Sequence, residues 1–325
     1  MTAYVTGTAT DHLDLYNQLY AFLTANADLV NAGEAWTEEW THPDAAHPVV
    51  GADSASQFLL RGPGLAGGDN IYVSFNLHAD ATNDVYGVAL CGHDGVLDTS
   101  LAYDDHINTS PRMWTPAFSS AMPYWFVANG RRFVAIWKCS TVYEACYGGL
   151  GLAFSTPAGY PYPLVIGGSS ETYALRYSVD TWLHTNFVDP GPRDKTSEDA
   201  FNSSATGGRS LLVRLPGGSW QYFDNGDYNG QRATTYPWAG AGLIGNNFLE
   251  QARPLLGGGY LLSPVTTIID RSEAKGALMA LDGVYHVPGI GNAAEDLITV
   301  GGVDHLVVQN AYRSDFEGFW ALALD

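Results

Sequence analysis

From Ala35 onward, the 325-residue chain consists of short runs of alternating apolar and polar residues, separated by glycine, proline, asparagine and aspartate. Alternation with a period of two is typical of half-buried β-strands, and the residues between the runs are those that tight turns need. The spacing predicts a mainly β fold built from antiparallel sandwich-like or barrel-like units. The predicted strands are 56–61, 70–78, 85–92, 124–128, 132–137, 151–154, 164–166, 210–215, 220–223, 260–269, 278–281, 284–287, 297–300, 305–309 and 319–324.

Four turn sequences predict β-hairpins and hence antiparallel pairing. A two-residue type I′ turn needs positive φ at both central positions, so Asn-Gly, Asp-Gly and Gly-Gly pairs between strands are strong hairpin signals. The sequences are Asn129-Gly130, Asp282-Gly283, Gly301-Gly302 and Pro216-Gly217-Gly218.

The segment before Ala35 predicts one short helix. Thr10 or Asp11 can cap it, and large apolar residues then recur at helical spacing until Asn26. A single helix of this length is marginal in water, so it has to dock either on its own domain or on a neighbouring subunit. Both alternatives remain open at this point, and the candidates for subunit contact are Leu15, Leu19 and Phe22.

The polar stretch 189–207, rich in glycine, proline, serine and aspartate, predicts a linker or exposed loop. Residues 1–34 would then form an N-terminal arm and helix. Residues 35–188 and 208–325 would form two β-rich domains. If the arm joins neighbouring subunits, its deletion should leave a folded body.

Composition and charge narrow the classes of partner. The net charge is −19, and only 15 lysine and arginine residues are scattered along the chain, which argues against binding to nucleic acid or to an anionic membrane surface. There is no run of 18 apolar residues to insert into a bilayer and no signal-peptide pattern at the N-terminus. Charged residues make up 15% and aromatic residues 13%, which favours protein–protein contact because interfaces are depleted in charge and enriched in aromatic side chains.

The three cysteines, Cys91, Cys139 and Cys146, are too few and too unevenly spaced for a disulfide framework. We expect buried free thiols, with a Cys139–Cys146 bond across a hairpin as the alternative.

Motifs for catalysis or for binding a cofactor are absent from the sequence, so we expect no enzymatic activity and no cofactor. Asp224 and Asp227 belong to a short Asp-Asn-Gly-Asp run that matches part of a calcium loop but lacks its remaining ligands. They are weak metal candidates, and a solvated turn is the alternative.

Aromatic residues in segments rich in proline and glycine are the remaining candidates for function. Exposed rings of this kind can fill a pocket on a protein partner or stack on a sugar, or they can simply cover sheet edges. The residues are Tyr160, Tyr162, Tyr236 and Trp238.

Several blocks of sequence resemble a family of tailed-bacteriophage virion proteins from the tail and baseplate region. The blocks are 6–15 (TGTATDHLDL), 60–65 (LRGPGL), 123–133 (PYWFVANGRRF), 140–144 (STVYE), 160–164 (YPYPL), 296–302 (DLITVGG) and 319–322 (FWAL). The resemblance implies a non-enzymatic structural subunit that is assembled in the host cytoplasm, becomes part of the virion, and contacts copies of itself and other phage structural proteins. A module that binds host-surface glycan and a surface-polysaccharide depolymerase are the alternatives.

Overall fold

Two short helices and twenty β-strands make up the computed structural model, which describes residues 2–41, 56–98, 101–178, 184–189, 209–223, 227–228, 231–237, 262–271, 274–289, 291–312 and 318–325. The helices are α1 (His12–Ala25) and α2 (Ala27–Ala32). The strands in the first half of the chain are β1 (Ala3–Ala9), β2 (Thr37–Thr41), β3 (Ser56–Gly62), β4 (Ile71–Asp80), β5 (Val85–His93), β6 (Met113–Pro116), β7 (Met122–Ala128), β8 (Arg132–Cys139), β9 (Val142–Leu150) and β10 (Leu152–Ala153). Those in the second half are β11 (Leu164–Gly167), β12 (Leu211–Arg214), β13 (Trp220–Phe223), β14 (Asp227–Tyr228), β15 (Gln231–Tyr236), β16 (Ser263–Arg271), β17 (Ala274–His286), β18 (Leu297–Val300), β19 (Val303–Gln309) and β20 (Phe319–Ala323).

The strands form three antiparallel sheets, as the sequence predicts. The central sheet has the order β1-β7-β8-β9-β11-β12-β13. The front sheet has the order β2-β3-β4-β5-β6. The back sheet has the order β14-β15-β16-β17-β20-β19-β18, and β10 pairs with β17.

The central sheet is buried on both of its faces. Along β8, Phe133, Ala135 and Trp137 lie in a core shared with the front sheet and α1. The alternate residues Val134 and Ile136 lie in a second core shared with the back sheet. Because successive side chains of a strand point to opposite faces, one strand supplies both cores, and the three sheets form a three-layer stack.

Helix α1 docks on the core of its own chain. Asp11 is its N-cap, accepting a hydrogen bond from the backbone N–H of Asp14, as the sequence predicts. Leu15 and Leu19 are each 1% exposed and Phe22 is 5% exposed, all within the core that the front and central sheets share. These three residues are therefore not available to a neighbouring subunit, which corrects their assignment as interface candidates.

The central sheet combines segments that the sequence analysis assigns to different domains. All seven residues of β1, from the expected arm, pair with β7. Beyond the expected linker, β12 pairs with β11 and then with β13. Deleting the first 30 residues would therefore remove a strand and a core-forming helix rather than a peripheral arm.

The hairpin between β7 and β8 is present, but its turn differs from the expected type I′ geometry. The N–H of Asn129 donates to the carbonyl of Arg132, which makes Gly130 and Arg131 the central residues. Gly130 has no positive φ; instead its N–H donates to the buried Glu34 carboxylate, and its carbonyl accepts from Gly64. A Cβ on Gly130 would lie 2.1 Å from the Gly64 carbonyl oxygen. Glycine is therefore needed at this position, because the two backbone segments approach each other too closely for a side chain.

Of the other three predicted hairpins, two are confirmed and one is wrong. Gly301 and Gly302 both have positive φ and join β18 to β19, and the 216–218 turn joins β12 to β13. Asp282-Gly283, however, lies inside the continuous strand β17. Gly283 has a positive φ because β17 is irregular at this point, where its register with β16 shifts.

All three cysteines are buried free thiols, so Cys139 and Cys146 are not bonded to each other. Burial raises the pKa of each thiol, which keeps the sulfur protonated and unreactive. Among the described segments, no helix has the length and apolar character needed to cross a bilayer.

Replacing Leu19 by alanine tests the docking of α1. Removal of a fully buried leucine side chain should lower the free energy of unfolding by about 2–5 kcal/mol. Val30, which is 53% exposed on α2, provides the control. Val30→Ala should change the free energy of unfolding by less than about 0.5 kcal/mol. Urea denaturation followed by tryptophan fluorescence measures both, and equal effects would contradict the burial of α1 in the core.

Gly130→Ala tests the close approach at the β7–β8 turn. The added methyl group would overlap the Gly64 backbone, so we expect a loss of about 1–3 kcal/mol of stability. Gly217, in the β12–β13 turn, has open space around its Cβ position, and Gly217→Ala should be close to neutral. Thermal denaturation of the two variants should show a lower midpoint for Gly130→Ala alone.

Candidate functional site

Four connections meet at one end of the stack: 63–70 between β3 and β4, 94–112 between β5 and β6, 154–163 between β10 and β11, and 215–219 between β12 and β13. A pocket of about 310 Å³ opens among them and at the adjoining strand ends, which we call the loop pocket. Its volume is at the lower end of the range for small-molecule sites. The lining residues are Gly68, Asp69, Asn70, Asp94, Leu150, Pro161, Tyr162 and Arg214.

An ion pair between Arg214 and Asp94 forms one wall of the loop pocket. Nε of Arg214 lies 2.7 Å from Oδ1 of Asp94, and Nη2 donates to Oδ2 at 2.7 Å. The side-chain amide of Asn108 donates to the same Oδ2 at 3.0 Å. Oδ2 of Asp94 therefore accepts two hydrogen bonds, and Oδ1 is buried in the ion pair without a hydrogen bond of its own, while Nη1 of Arg214 makes no hydrogen bond within the described part of the chain.

Tyr162 forms a second wall, and its ring lies 5.3 Å from the Arg214 guanidinium in cation–π contact. Its hydroxyl accepts from the N–H of Tyr72 and lies within donating distance of the carbonyls of Asn70 and His93. Burial raises the pKa of this hydroxyl, so it stays protonated. Tyr162 is thus held rigidly.

Asp69 and Asn70 form the exposed rim of the loop pocket. The carboxylate of Asp69 lies against Gly64, where a Cβ would come within 2.0 Å of its oxygen. It makes no hydrogen bond to the described residues. The side-chain oxygen of Asn70 accepts a long 3.5 Å hydrogen bond from Arg61, and its side-chain N–H₂ group donates to none of the described residues.

The remaining aromatic candidates are not gathered at one place. Tyr160 is 2% exposed, and its hydroxyl donates to the carbonyl of Arg214, so it supports the loop pocket from behind. Tyr236 is half-buried at the end of β15. Trp238 lies outside the described residues. Of the three described rings, only Tyr162 lines the loop pocket.

The weak metal candidates receive no support from the structure. Asp224 lies outside the described residues, and Asp227 begins the two-residue strand β14. Across the described ranges, no group of three or more histidine, cysteine, aspartate or glutamate residues is close enough to hold a metal ion.

A buried serine–histidine pair, which the sequence gives no sign of, resembles a catalytic dyad. Oγ of Ser74 lies 2.6 Å from Nε2 of His93, but its hydroxyl donates to the carbonyl of Tyr103, also at 2.6 Å. Both side chains are 0% exposed, so the pair is a buried polar network rather than a reaction site.

A second buried pair joins Glu144 of β9 to His184. Nδ1 of the imidazole lies 3.5 Å from Oε1 of the carboxylate, and both side chains are 0% exposed. The Glu144 oxygens make no hydrogen bond in the part of the chain that the structure describes. Without access to solvent, this pair cannot meet a substrate in the described conformation.

No protein-family model matches the sequence, and no curated protein matches it.

The buried histidines predict a loss of stability in acid. Burial, with a smaller effect from neighbouring His106, lowers the pKa of His93 to about 3, and burial lowers that of His286 to about 3 as well. In the unfolded chain the His93 and His286 imidazoles take up protons below about pH 6.5, whereas in the folded chain they do so only near pH 3. The free energy of unfolding therefore falls as the pH drops through this window. His93 alone should contribute a loss of about 2 kcal/mol between pH 7 and pH 5.

Urea denaturation of the wild type and of His93→Gln at pH 7, 6 and 5 measures this dependence. The free energy of unfolding of the variant should decline less steeply with falling pH, because of His93 and His286 only His286 can still titrate. An identical decline in both proteins would show that His93 does not remain neutral in the folded state.

Proposed function

We propose that the chain is a non-enzymatic structural subunit of a tailed-phage particle, in its tail or baseplate, and that it acts through contacts with copies of itself and with other virion proteins. The resemblance of its sequence blocks to tailed-phage virion proteins supports its assignment to a phage particle. The open edge of the central sheet at β1 is the observation that supports the mode of contact.

Strand β1 has a partner on one side only within the described residues. Its seven residues, Ala-Tyr-Val-Thr-Gly-Thr-Ala, include no charge and no proline, and Thr6 and Thr8 are exposed. The outward N–H and C=O groups of such a strand can pair with a strand of another chain. The chain has a net charge of −19, and two copies that pair through a neutral edge do not bring like charges into direct contact.

The other sheet edges have the protection that natural proteins give to edges that should stay unpaired. Strand β2 contains Glu38 and Glu39 and an irregular register against β3. Strand β6 has four residues and ends in Pro116, β13 and β18 are also only four residues long, and β14 has two residues. The contrast singles out β1 as the edge suited to strand addition.

The arrangement of carboxylates supports a non-catalytic role over a depolymerase. Hydrolysis of a glycosidic bond by the usual route needs two carboxyl groups free to act on the bond. In the loop pocket, Asp94 is occupied by Arg214 and Asn108, so only Asp69 can meet a ligand there.

Thr8→Lys tests the role of the β1 edge. A lysine there would introduce a charge where a second strand has to pack, so the variant should remain folded but fail to associate and fail to enter particles. Thr8→Val keeps a neutral β-branched side chain and should behave like the wild type. Sedimentation velocity of the purified proteins and quantitative mass spectrometry of purified phage particles measure the two effects.

Two results would contradict the proposal. Incorporation of Thr8→Lys at the wild-type copy number would exclude β1 as the assembly edge. Absence of the wild-type chain from purified tailed particles would exclude the virion function itself.

A further inference from the structure

We infer that the loop pocket binds a neutral saccharide, with Asp69, Asn70 and Arg214 contacting its hydroxyl groups and Leu150, Pro161 and Tyr162 contacting the apolar side of a sugar ring. This inference adds a ligand to the proposed structural role and does not depend on it, because it rests on the pocket alone.

The polar groups of the loop pocket that have no hydrogen-bond partner among the described residues match a pair of sugar hydroxyls. The Asp69 carboxylate offers acceptors, and the Asn70 side-chain N–H₂ and Nη1 of Arg214 offer donors, all on the lining of one pocket. Each sugar hydroxyl both donates and accepts, so acceptors and donors placed together can satisfy both halves of its hydrogen bonding.

The rest of the lining is suited to the C–H groups of a sugar ring. Leu150, Pro161 and the Tyr162 ring present carbon surface beside the polar residues. A small-molecule site of this mixed character uses apolar contact for affinity and a few polar groups for orientation.

The binding groups are held in place before any ligand arrives. Arg214 is fixed by its two contacts with Asp94 and by the Tyr162 ring, and Tyr162 is fixed by its hydroxyl contacts. The side-chain amide of Asn108 donates both to Asp94 and to the carbonyl of Gly218, which holds Asp94 in place. Little side-chain entropy is then lost on binding, which favours affinity even in a small pocket.

Charge distinguishes a neutral saccharide from other polar ligands. The positive charge of Arg214 is offset by Asp94, so Asp69 contributes one uncompensated negative charge. Phosphorylated or acidic ligands would meet this carboxylate and an acidic chain, and both repel them. A metal ion is disfavoured because no group of three acidic, histidine or cysteine ligands exists in the described ranges.

The test uses the full chain on an array of neutral and acidic oligosaccharides, followed by calorimetric titration with the neutral oligosaccharide that gives the strongest signal. Asp69→Asn should weaken binding about tenfold or more, because a charged acceptor is replaced by a neutral one. Asp84→Asn removes the same charge from the β4–β5 turn at the opposite end of the front sheet and should leave affinity unchanged. Asn70→Ala should also weaken binding.

Three outcomes would overturn the inference. They are the absence of binding to every neutral oligosaccharide, a stronger signal for acidic than for neutral sugars, and equal affinities of Asp69→Asn and Asp84→Asn. None of them bears on β1 or on incorporation into particles, so a failure here is distinguishable from a failure of the proposed structural role.

Discussion

Burial of both faces of the central sheet is the constraint on which the other features of this fold depend. A sheet with two apolar faces has to be covered twice, and the front and back sheets each supply one covering layer. The strands of the central sheet come from the N-terminus, the middle and the later part of the chain, so the chain has to cross between layers several times. Among the described residues, this leaves β1 as a sheet edge with one partner strand and gathers four connections around the loop pocket.

The same burial imposes a cost on the polar residues that lie between the layers. Arg132 is 1% exposed, and its nearest acidic partner is Asp282 of the back sheet, with 3.7 Å between Nε and Oδ2. Glu144 and His184 are fully buried beside each other at a similar distance. Replacing one member of such a pair leaves an uncompensated buried group, whereas an apolar pair of the same volume is often tolerated. These pairs therefore hold the layers in a particular arrangement more than they add net stability.

The sequence predicts most of the front and back sheets because their strands keep recognisable runs between turns. It fails where local pattern carries no signal. Strand β9 was not predicted: eight of its nine residues are buried, including Glu144, so alternation is lost. The sequence does not predict strand β1, because this strand precedes the helix and contains one glycine and two alanines. Of the residues that line the loop pocket, the sequence singles out only Tyr162, as an aromatic candidate for contact, because Arg214 and Asp94 lie 120 positions apart and meet only in the folded chain.

We expect the three sheets to unfold as one cooperative unit around the central sheet, instead of as two β-rich domains joined by a linker. Native-state hydrogen exchange under increasing urea, read by mass spectrometry, tests it most directly. The account predicts that amides in β4, β8 and β19, one strand from each layer, exchange through one global unfolding event with the same free energy. Exchange of β19 at a distinctly lower free energy, while β4 and β8 stay protected, would contradict it.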